Sequence, residues 1–166
     1  MSYCAPTVYL KNQLRNAVRK WINECIKSDT NLQYYQVTLT FVQRENEGGR
    51  YHYVKAEVDK NMVKFINRLN RKIFGNSFYR YKKRIFSYVS IEHGQYGNNT
   101  HAHLILGFPK NREYKKDVEV TIYETIAKTP MINQRNQVGM LQDPLYWSNY
   151  ILKNDFNPIL MKKAKC

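Results

Sequence analysis

Two apolar runs with alternating polarity, separated by a turn-rich segment, constrain the fold of this chain more than any other feature. The runs are IFSYVSIEH, residues 85–93, and THAHLILGF, residues 100–108, with GQYGNN between them. Successive side chains of a strand point to opposite sides of a sheet, which produces such alternation. Gly and Asn favour the tight turns that join neighbouring strands. The sequence therefore predicts an antiparallel β-hairpin.

Three segments outside the hairpin have apolar residues at helical spacing. They cover residues 10–26, 59–75 and 116–128. Asp59 is placed to cap the start of the second helix, and Gly75 is placed to end it. The sequence therefore predicts three amphipathic helices.

Strand-like alternation recurs in two further segments, residues 34–42 and 51–56, and residues 131–141 form a weaker candidate for an edge strand. A last helix is predicted to begin with Asp143 as its N-cap and Pro144 at its first position. Strands and helices alternate, but the hairpin favours an antiparallel sheet over a doubly wound parallel one. The predicted fold class is therefore α+β, an antiparallel sheet with helices packed on it.

The composition limits the number of domains and the kind of partner. The chain has 166 residues, enough for one domain over residues 1–166. Its net charge of +14, with 14 Tyr and 7 Phe, favours a partner that carries phosphates and unpaired bases. Cys4, Cys25 and Cys166 form no CxxC pair, which argues against a disulfide framework and a cysteine zinc site. With no apolar run of membrane-spanning length, we expect a cytoplasmic protein in a reducing compartment, without membrane association.

The segment FYRYKKR, residues 78–84, is the best candidate for a nucleic-acid contact. It interleaves rings with cations, the combination that single-strand binders use for bases and phosphates. A solvated basic connector is the alternative interpretation of the same residues. The candidate DNA-binding residues are Tyr79, Arg80, Tyr81, Lys82, Lys83 and Arg84.

The predicted hairpin carries a candidate metal site. His101 and His103 are two residues apart in a strand, so both imidazoles lie on one face. Either of two hairpin registers adds Glu92 to that face, opposite one histidine or the other, whereas a slip by one residue would replace it with His93. Two imidazoles and a carboxylate with open positions can bind Mg²⁺, Mn²⁺ or Zn²⁺. Polar residues on a half-exposed strand are the alternative.

The predicted last helix carries a candidate nucleophile. Tyr146, Tyr150 and Lys153 are spaced to share one helix face. A tyrosine hydroxyl beside a metal can attack a phosphodiester and form a covalent phosphotyrosine, and Lys153 can stabilise the negative charge. Tyr150 is the preferred nucleophile and Tyr146 the second candidate, with packing against the sheet as the alternative for either ring.

Three motifs, in this order, resemble those of the HUH endonucleases, and in particular the rolling-circle replication initiators (Rep proteins) of plasmids, phages and single-stranded DNA viruses. VTLTF, residues 37–41, is similar to the first motif. The pair His101 and His103, with Glu92 upstream, is similar to the second, although Ala102 stands where the family usually has a bulky residue. YILK, residues 150–153, is similar to the third.

The resemblance implies a ferredoxin-like or RRM-like HUH nuclease fold with about five antiparallel strands. It implies a Mg²⁺ or Mn²⁺ ion at Glu92, His101 and His103. It also implies nicking of single-stranded DNA at a replication origin, with the 5′ phosphate left on Tyr150 and a free 3′ hydroxyl. The sequence has no Gly-rich phosphate loop, so any helicase must come from elsewhere. The chain is then either a minimal initiator, which would use a host helicase and polymerase, or a nuclease domain excised from a longer protein.

Four other functions stay open at this point. A single-strand transposase or a conjugative relaxase of the same superfamily would use a similar site, but relaxases place their tyrosine near the N-terminus. A single-strand binder without chemistry would need no metal. A metal-dependent nuclease that uses water would leave no protein on the cut end.

Overall fold

A computed structural model of the chain describes residues 8–42, 55–92, 100–114 and 116–152, and the backbone of 158–162. The helices are α1 (Val8–Ser28), α2 (Lys55–Phe74), α3 (Asn76–Arg80), α4 (Val118–Ala127) and α5 (Pro144–Ile151). The strands are β1 (Leu32–Thr40), β2 (Phe86–Glu92), β3 (His101–Pro109), β4 (Gln137–Met140) and β5 (Pro158–Lys162).

The strands form one antiparallel sheet in the order β4-β1-β3-β2-β5. The predicted α+β class with an antiparallel sheet and packed helices is thereby confirmed. The predicted hairpin is the pair β2 and β3, and the predicted edge strand is β4. The central position of β3 places its side chains between those of β1 and β2.

The two faces of the sheet are covered by different helices. The face of β3 that carries His101, His103 and Ile105, here called the histidine face, packs against the second half of α1 and the end of α5. The opposite face packs against α2 and α4 through Ala102 and Leu104 of β3. Both faces are apolar along most of β3, which explains why residues 102–108 are buried throughout.

The start of α2 differs from the prediction. Asp59 was expected to be its N-cap, but the helix begins at Lys55 and Asp59 lies inside it. The additional turn brings Val58 to the position one turn before Met62, and both are completely buried on the opposite face of the sheet. The strand predicted over 51–56 is therefore wrong at its described end, because Lys55 and Ala56 are helical.

The end of α2 and the two downstream helices agree with the predictions. Gly75 follows the last residue of α2 with φ +56°, a left-handed conformation that glycine adopts without strain. α4 falls within the predicted segment 116–128. Asp143 caps α5 by accepting a hydrogen bond from the backbone N–H of Tyr146 at 2.9 Å, and Pro144 is the first helical residue.

Two features were not predicted. β5 pairs with β2 in a segment for which the sequence analysis made no assignment. In α1, the predicted apolar stripe begins at Leu10, but Leu10 and Leu14 are each 52% exposed, and the buried residues begin at Val18. Only the second half of α1 therefore contributes to the core.

Gly107 allows β1 and β2 to pack closely on either side of β3, and its replacement by alanine is expected to destabilise the fold. An added Cβ would lie 2.8 Å from Cε1 of Tyr34 and 3.0 Å from Cβ of Phe86. Overpacking of this kind costs about 1 to 3 kcal/mol of unfolding free energy. Thermal unfolding should show a lower Tm for Gly107→Ala. The matched control is Gly139→Ala, whose Cβ would meet nothing within 4 Å; equal Tm values would contradict the prediction.

Candidate functional site

The hairpin register brings the predicted metal ligands together. Glu92 of β2 is paired with His101 of β3, which is the first of the two registers considered from the sequence. His103 is two residues further along the same face, opposite Thr38 of β1. The end of the sheet where β2 stops and β3 begins therefore carries a carboxylate and two imidazoles on one face.

Glu92, His101 and His103 form a cluster that could hold a metal ion. One potential ligand atom from each residue lies within 4.8 Å of the other two. Nε2 of His103 is 3.2 Å from Oε2 of Glu92, and their side chains are only 4% and 19% exposed. Two ligand atoms that each lie about 2.1 Å from a metal ion, with a right angle between the two bonds, are about 3 Å apart. The 3.2 Å between Nε2 of His103 and Oε2 of Glu92 therefore fits a shared ion.

Thr38 fixes the orientation of the His103 ring. Its Oγ1 is 3.2 Å from Nδ1 of His103, while Nε2 faces Glu92. A neutral imidazole has one N–H and one lone-pair nitrogen. When Nε2 binds a cation, the proton is on Nδ1 and is donated to the Thr38 hydroxyl oxygen, which is the orienting contact that metal-binding histidines require.

α5 brings aromatic rings to the same cluster. The Tyr150 ring lies 5.2 Å from the His103 ring, centroid to centroid, and the Trp147 ring lies 5.8 Å from it. Trp147 and Tyr150 are nearly parallel at 5.1 Å. Nε1 of Trp147 donates a 3.4 Å hydrogen bond to the carbonyl of Leu104, which ties the helix to β3.

Two further contacts position α5. Ile151 and Leu152 are buried on the histidine face, and Nδ2 of Asn23 in α1 donates a hydrogen bond to Oγ of Ser148 at 3.3 Å. The N-cap therefore fixes where α5 begins, the hydrogen bond from α1 holds its middle, and the buried residues hold its end against the sheet. This arrangement fixes where Tyr150 lies relative to the cluster.

Tyr146 and Tyr150 have different surroundings. Tyr146 is 64% exposed and stacks on Tyr150 at 6.5 Å, whereas Tyr150 is half-buried and also contacts the His103 ring. Tyr150 is therefore the tyrosine of α5 that lies against the cluster of Glu92, His101 and His103. Lys153, predicted to support it, lies outside the described residues.

Tyr88 also lies on the histidine face, but its surroundings make it a poor nucleophile. It is completely buried, and burial raises the pKa of its phenol well above the ordinary value. At neutral pH the Tyr88 hydroxyl stays protonated and inaccessible to a polymer. Tyr88 and Ser90 thus form part of the floor of the site.

The predicted DNA-binding segment lies away from this cluster. Phe78 is buried in the core of the opposite face, and Tyr79, Arg80, Tyr81, Lys82 and Lys83 are exposed beside α2. The guanidinium of Arg84 lies 4.6 Å from the centre of the Phe78 ring. The sheet therefore separates residues 78–84 from Glu92, His101, His103 and Tyr150.

Thr38 and Trp147 are not among the residues for which the sequence predicts a role. Thr38 is the first of the two threonines in the VTLTF motif, and the alternation of residues 34–42 places it on the polar side of the predicted strand. Trp147 lies between the two tyrosines of the YWSNY segment. In both cases the only signal in the sequence is the residue's position within a motif. The contact with His103 depends on strand register for Thr38 and on the packing of α5 for Trp147.

Comparisons with protein-family models, with curated proteins and with solved structures found no match to this chain. Among the helices in the described part of the chain, none combines the length and the apolar character needed to cross a bilayer.

Removal of the Thr38 hydroxyl is expected to weaken metal binding while the ligands stay in place. Thr38→Val removes the hydroxyl that lies 3.2 Å from Nδ1 of His103, and losses of such orienting contacts typically lower metal affinity by about 10- to 100-fold. Isothermal titration with Mn²⁺ measures the change. Thr121→Val, which removes a hydroxyl from α4 on the opposite face, is the control. Equal affinities in the two variants would refute the orienting role.

Proposed function

We propose that this protein is a metal-dependent endonuclease that nicks and rejoins single-stranded DNA through a covalent phosphotyrosine at Tyr150. The observation that carries the proposal is the position of the Tyr150 ring, 5.2 Å from the ring of His103 within the Glu92, His101 and His103 cluster. The half-buried ring of Tyr150 thus lies beside the residues that would hold a cation and, through it, a phosphate. A protein that only binds nucleic acid has no need of this combination.

Glu92, His101 and His103 are the proposed metal ligands, and Mg²⁺ or Mn²⁺ is the proposed ion. The mixture of one carboxylate and two imidazoles suits Mn²⁺ well and accepts Mg²⁺. A bound divalent cation would supply Lewis acidity, which polarises the scissile phosphate and offsets its negative charge. His103, held by Thr38, and Glu92 provide the fixed geometry that such binding requires.

The proposed reaction is a transesterification at phosphorus. Oη of Tyr150 forms a bond to the phosphorus atom, and the bond from phosphorus to the 3′ oxygen breaks. The phenol proton is lost, and the leaving 3′ oxygen gains a proton to become a hydroxyl. The number of phosphoester bonds is unchanged, so the reverse attack by a 3′ hydroxyl rejoins the strand and frees Tyr150.

The remaining parts of the proposal concern the protein's setting. We assign the chain to the replication initiators of the HUH type, with a ferredoxin-like or RRM-like fold of about five strands. The net charge of +14 favours a DNA substrate, here the single-stranded region of a replication origin. The free 3′ hydroxyl would prime a host polymerase, a host helicase would unwind the duplex, and the reaction would take place in the host cytoplasm. Lys153 is the proposed cation beside the phosphotyrosine.

Covalent capture tests the proposed function directly. The protein is incubated with a diverse pool of 5′- and 3′-labelled single-stranded oligonucleotides and Mn²⁺, with EDTA in a parallel sample, and denaturing gels are run. We expect label from the 3′ fragment to migrate with the protein only when Mn²⁺ is present. Mass spectrometry of the digested adduct is expected to place the nucleotide on Tyr150.

The same gels separate the rival functions. Cleavage without an adduct would identify water as the attacking group and overturn the phosphotyrosine mechanism. An adduct on the 5′ fragment would reverse the proposed polarity. Neither cleavage nor adduct across the pool, with binding of the same oligonucleotides detected on native gels, would support a single-strand binder without chemistry.

A further inference from the structure

The far side of the molecule carries a cationic groove, here called the back groove. It lies between α2, α3 and α4 and consists of two adjoining recesses that share Arg68, Arg71 and Tyr79. Lys64 and Lys82 extend one end, and Lys128 lies at the other. Among the described residues that line either recess, none is an aspartate or a glutamate.

Nearby acidic groups neutralise only a small part of this charge. Glu124 forms ion pairs with Lys72, at 2.8 Å, and with Lys116. Hydrogen bonds from these two lysines, the one from Lys116 having the larger effect, lower the pKa of Glu124 to about 2. Glu124 is therefore fully ionised at neutral pH, and its charge is already paired with Lys72 and Lys116. Arg68 donates to the carbonyl oxygen of Lys128, which carries no net charge. The groove thus keeps its positive potential.

A ring lies among these cations. Tyr79 is 61% exposed, and the guanidinium of Arg71 lies 5.9 Å from its ring centre. The preceding residue, Phe78, is buried in the core, so Tyr79 is fixed on a rigid support and not on a mobile loop. An exposed ring flanked by cations is the arrangement that stacks an unpaired base and binds the adjoining phosphates.

The groove and the metal-binding cluster lie on opposite sides of the sheet. α2 packs on the opposite face, whereas Glu92, His101, His103 and Tyr150 are on the histidine face. A helix with its side chains is about 10 to 12 Å across, so α2 and the sheet together separate the two sites by on the order of 15 Å or more. A nucleotide at Tyr150 therefore cannot also occupy the back groove.

We propose that the back groove is a second nucleic-acid site, which binds a single-stranded segment other than the one that lies at Tyr150. Lys64, Arg71 and Lys82 bind phosphates, and Tyr79 stacks a base. This inference does not depend on the cleavage chemistry, because the groove contains none of the residues assigned to it.

Fluorescence anisotropy with a labelled 20-nucleotide oligothymidine in EDTA tests the back groove without cleavage. The groove variant Lys64→Gln/Arg71→Gln is compared with Lys20→Gln/Lys27→Gln on α1, which removes the same number of positive charges. Binding to single strands loses about 0.7 log units of affinity per log unit of salt for each phosphate contact. We expect the groove variant to bind roughly tenfold more weakly and its salt slope to fall by about 1.4, with the α1 variant close to wild type.

Further measurements identify what the groove binds and test this proposal independently of the proposed nuclease activity. Tyr79→Ser is expected to weaken single-strand binding by roughly tenfold, because it removes the ring on which a base would stack. The anisotropy is measured in EDTA, where no metal-dependent adduct forms, so failure of the nuclease proposal would leave binding in the groove measurable. Equal affinities of the groove and α1 variants would overturn the proposal, and so would tighter binding of a 20-base-pair duplex than of the single strand.

Discussion

Replacement of Tyr150 by phenylalanine is expected to abolish the covalent protein–DNA adduct. The substitution removes only the hydroxyl, so the ring can keep its nearly parallel contact with Trp147 at 5.1 Å and its contact with His103. Removal of a nucleophile that acts together with its site lowers the rate by several orders of magnitude, and we expect a loss of more than about a thousandfold. The measurement is the fraction of labelled oligonucleotide that stays with the protein on a denaturing gel.

Tyr146→Phe is the matched control for this experiment. It removes a hydroxyl from the same helix, but that tyrosine is 64% exposed and reaches the cluster through its stacking on Tyr150. We expect most of the adduct to remain. The opposite result, in which Tyr146→Phe loses the adduct and Tyr150→Phe keeps it, would move the nucleophile to Tyr146.

Glu92→Gln is expected to remove most of the thermal stabilisation by Mn²⁺. A ligand at 100 times its dissociation constant stabilises the native state by about 2.7 kcal/mol, which corresponds to roughly 5 to 10 °C in a domain of this size. The amide keeps the shape of Glu92 but loses its negative charge, and Glu92 is the anionic member of the three proposed ligands. If the affinity falls about 100-fold, the same Mn²⁺ concentration gives a shift of only about 1 °C.

Differential scanning fluorimetry in Mn²⁺ and in EDTA measures both shifts, and Glu124→Gln is the control. That variant also removes one carboxylate, but from α4 on the opposite face of the sheet. Its Mn²⁺ shift should equal that of the wild-type protein. A wild-type protein that shows no Mn²⁺ shift, or an unchanged shift in Glu92→Gln, would rule out metal binding by this cluster.

The local parts of the candidate site could be predicted from the sequence because they depend on short-range periodicity. Alternation in a strand is sufficient to place His101 and His103 on one face, and the turn-rich segment limits the position of Glu92 to a few registers. The cap at Asp143 follows from the chemistry of one side chain and the next residue. These predictions need no knowledge of how the elements pack.

The long-range parts could not be predicted in this way. Periodicity shows which side of a helix is apolar, but not which face of the sheet that side covers. For this reason, the sequence does not show that residues 78–84, the candidate nucleic-acid segment, lie on the far side of the sheet from the Glu92, His101 and His103 cluster. The start of α2 has a similar cause: Val58 is buried only because the sheet lies beneath it, and no capping signal in the sequence marks Lys55.

The ring stack on α5 gives the protein an optical reporter of its own site. The chain has two tryptophans: Trp21 is partly buried and packs on Phe86 at the edge of the core, whereas Trp147 contacts the rings of both Tyr150 and His103. A paramagnetic ion bound at the cluster would quench the fluorescence of Trp147, because its ring lies only 5.8 Å from the ring of His103. Bases that stack near Tyr150 would shift the same emission. A Trp21→Phe protein would therefore report the filling of the site in real time, without any attached dye.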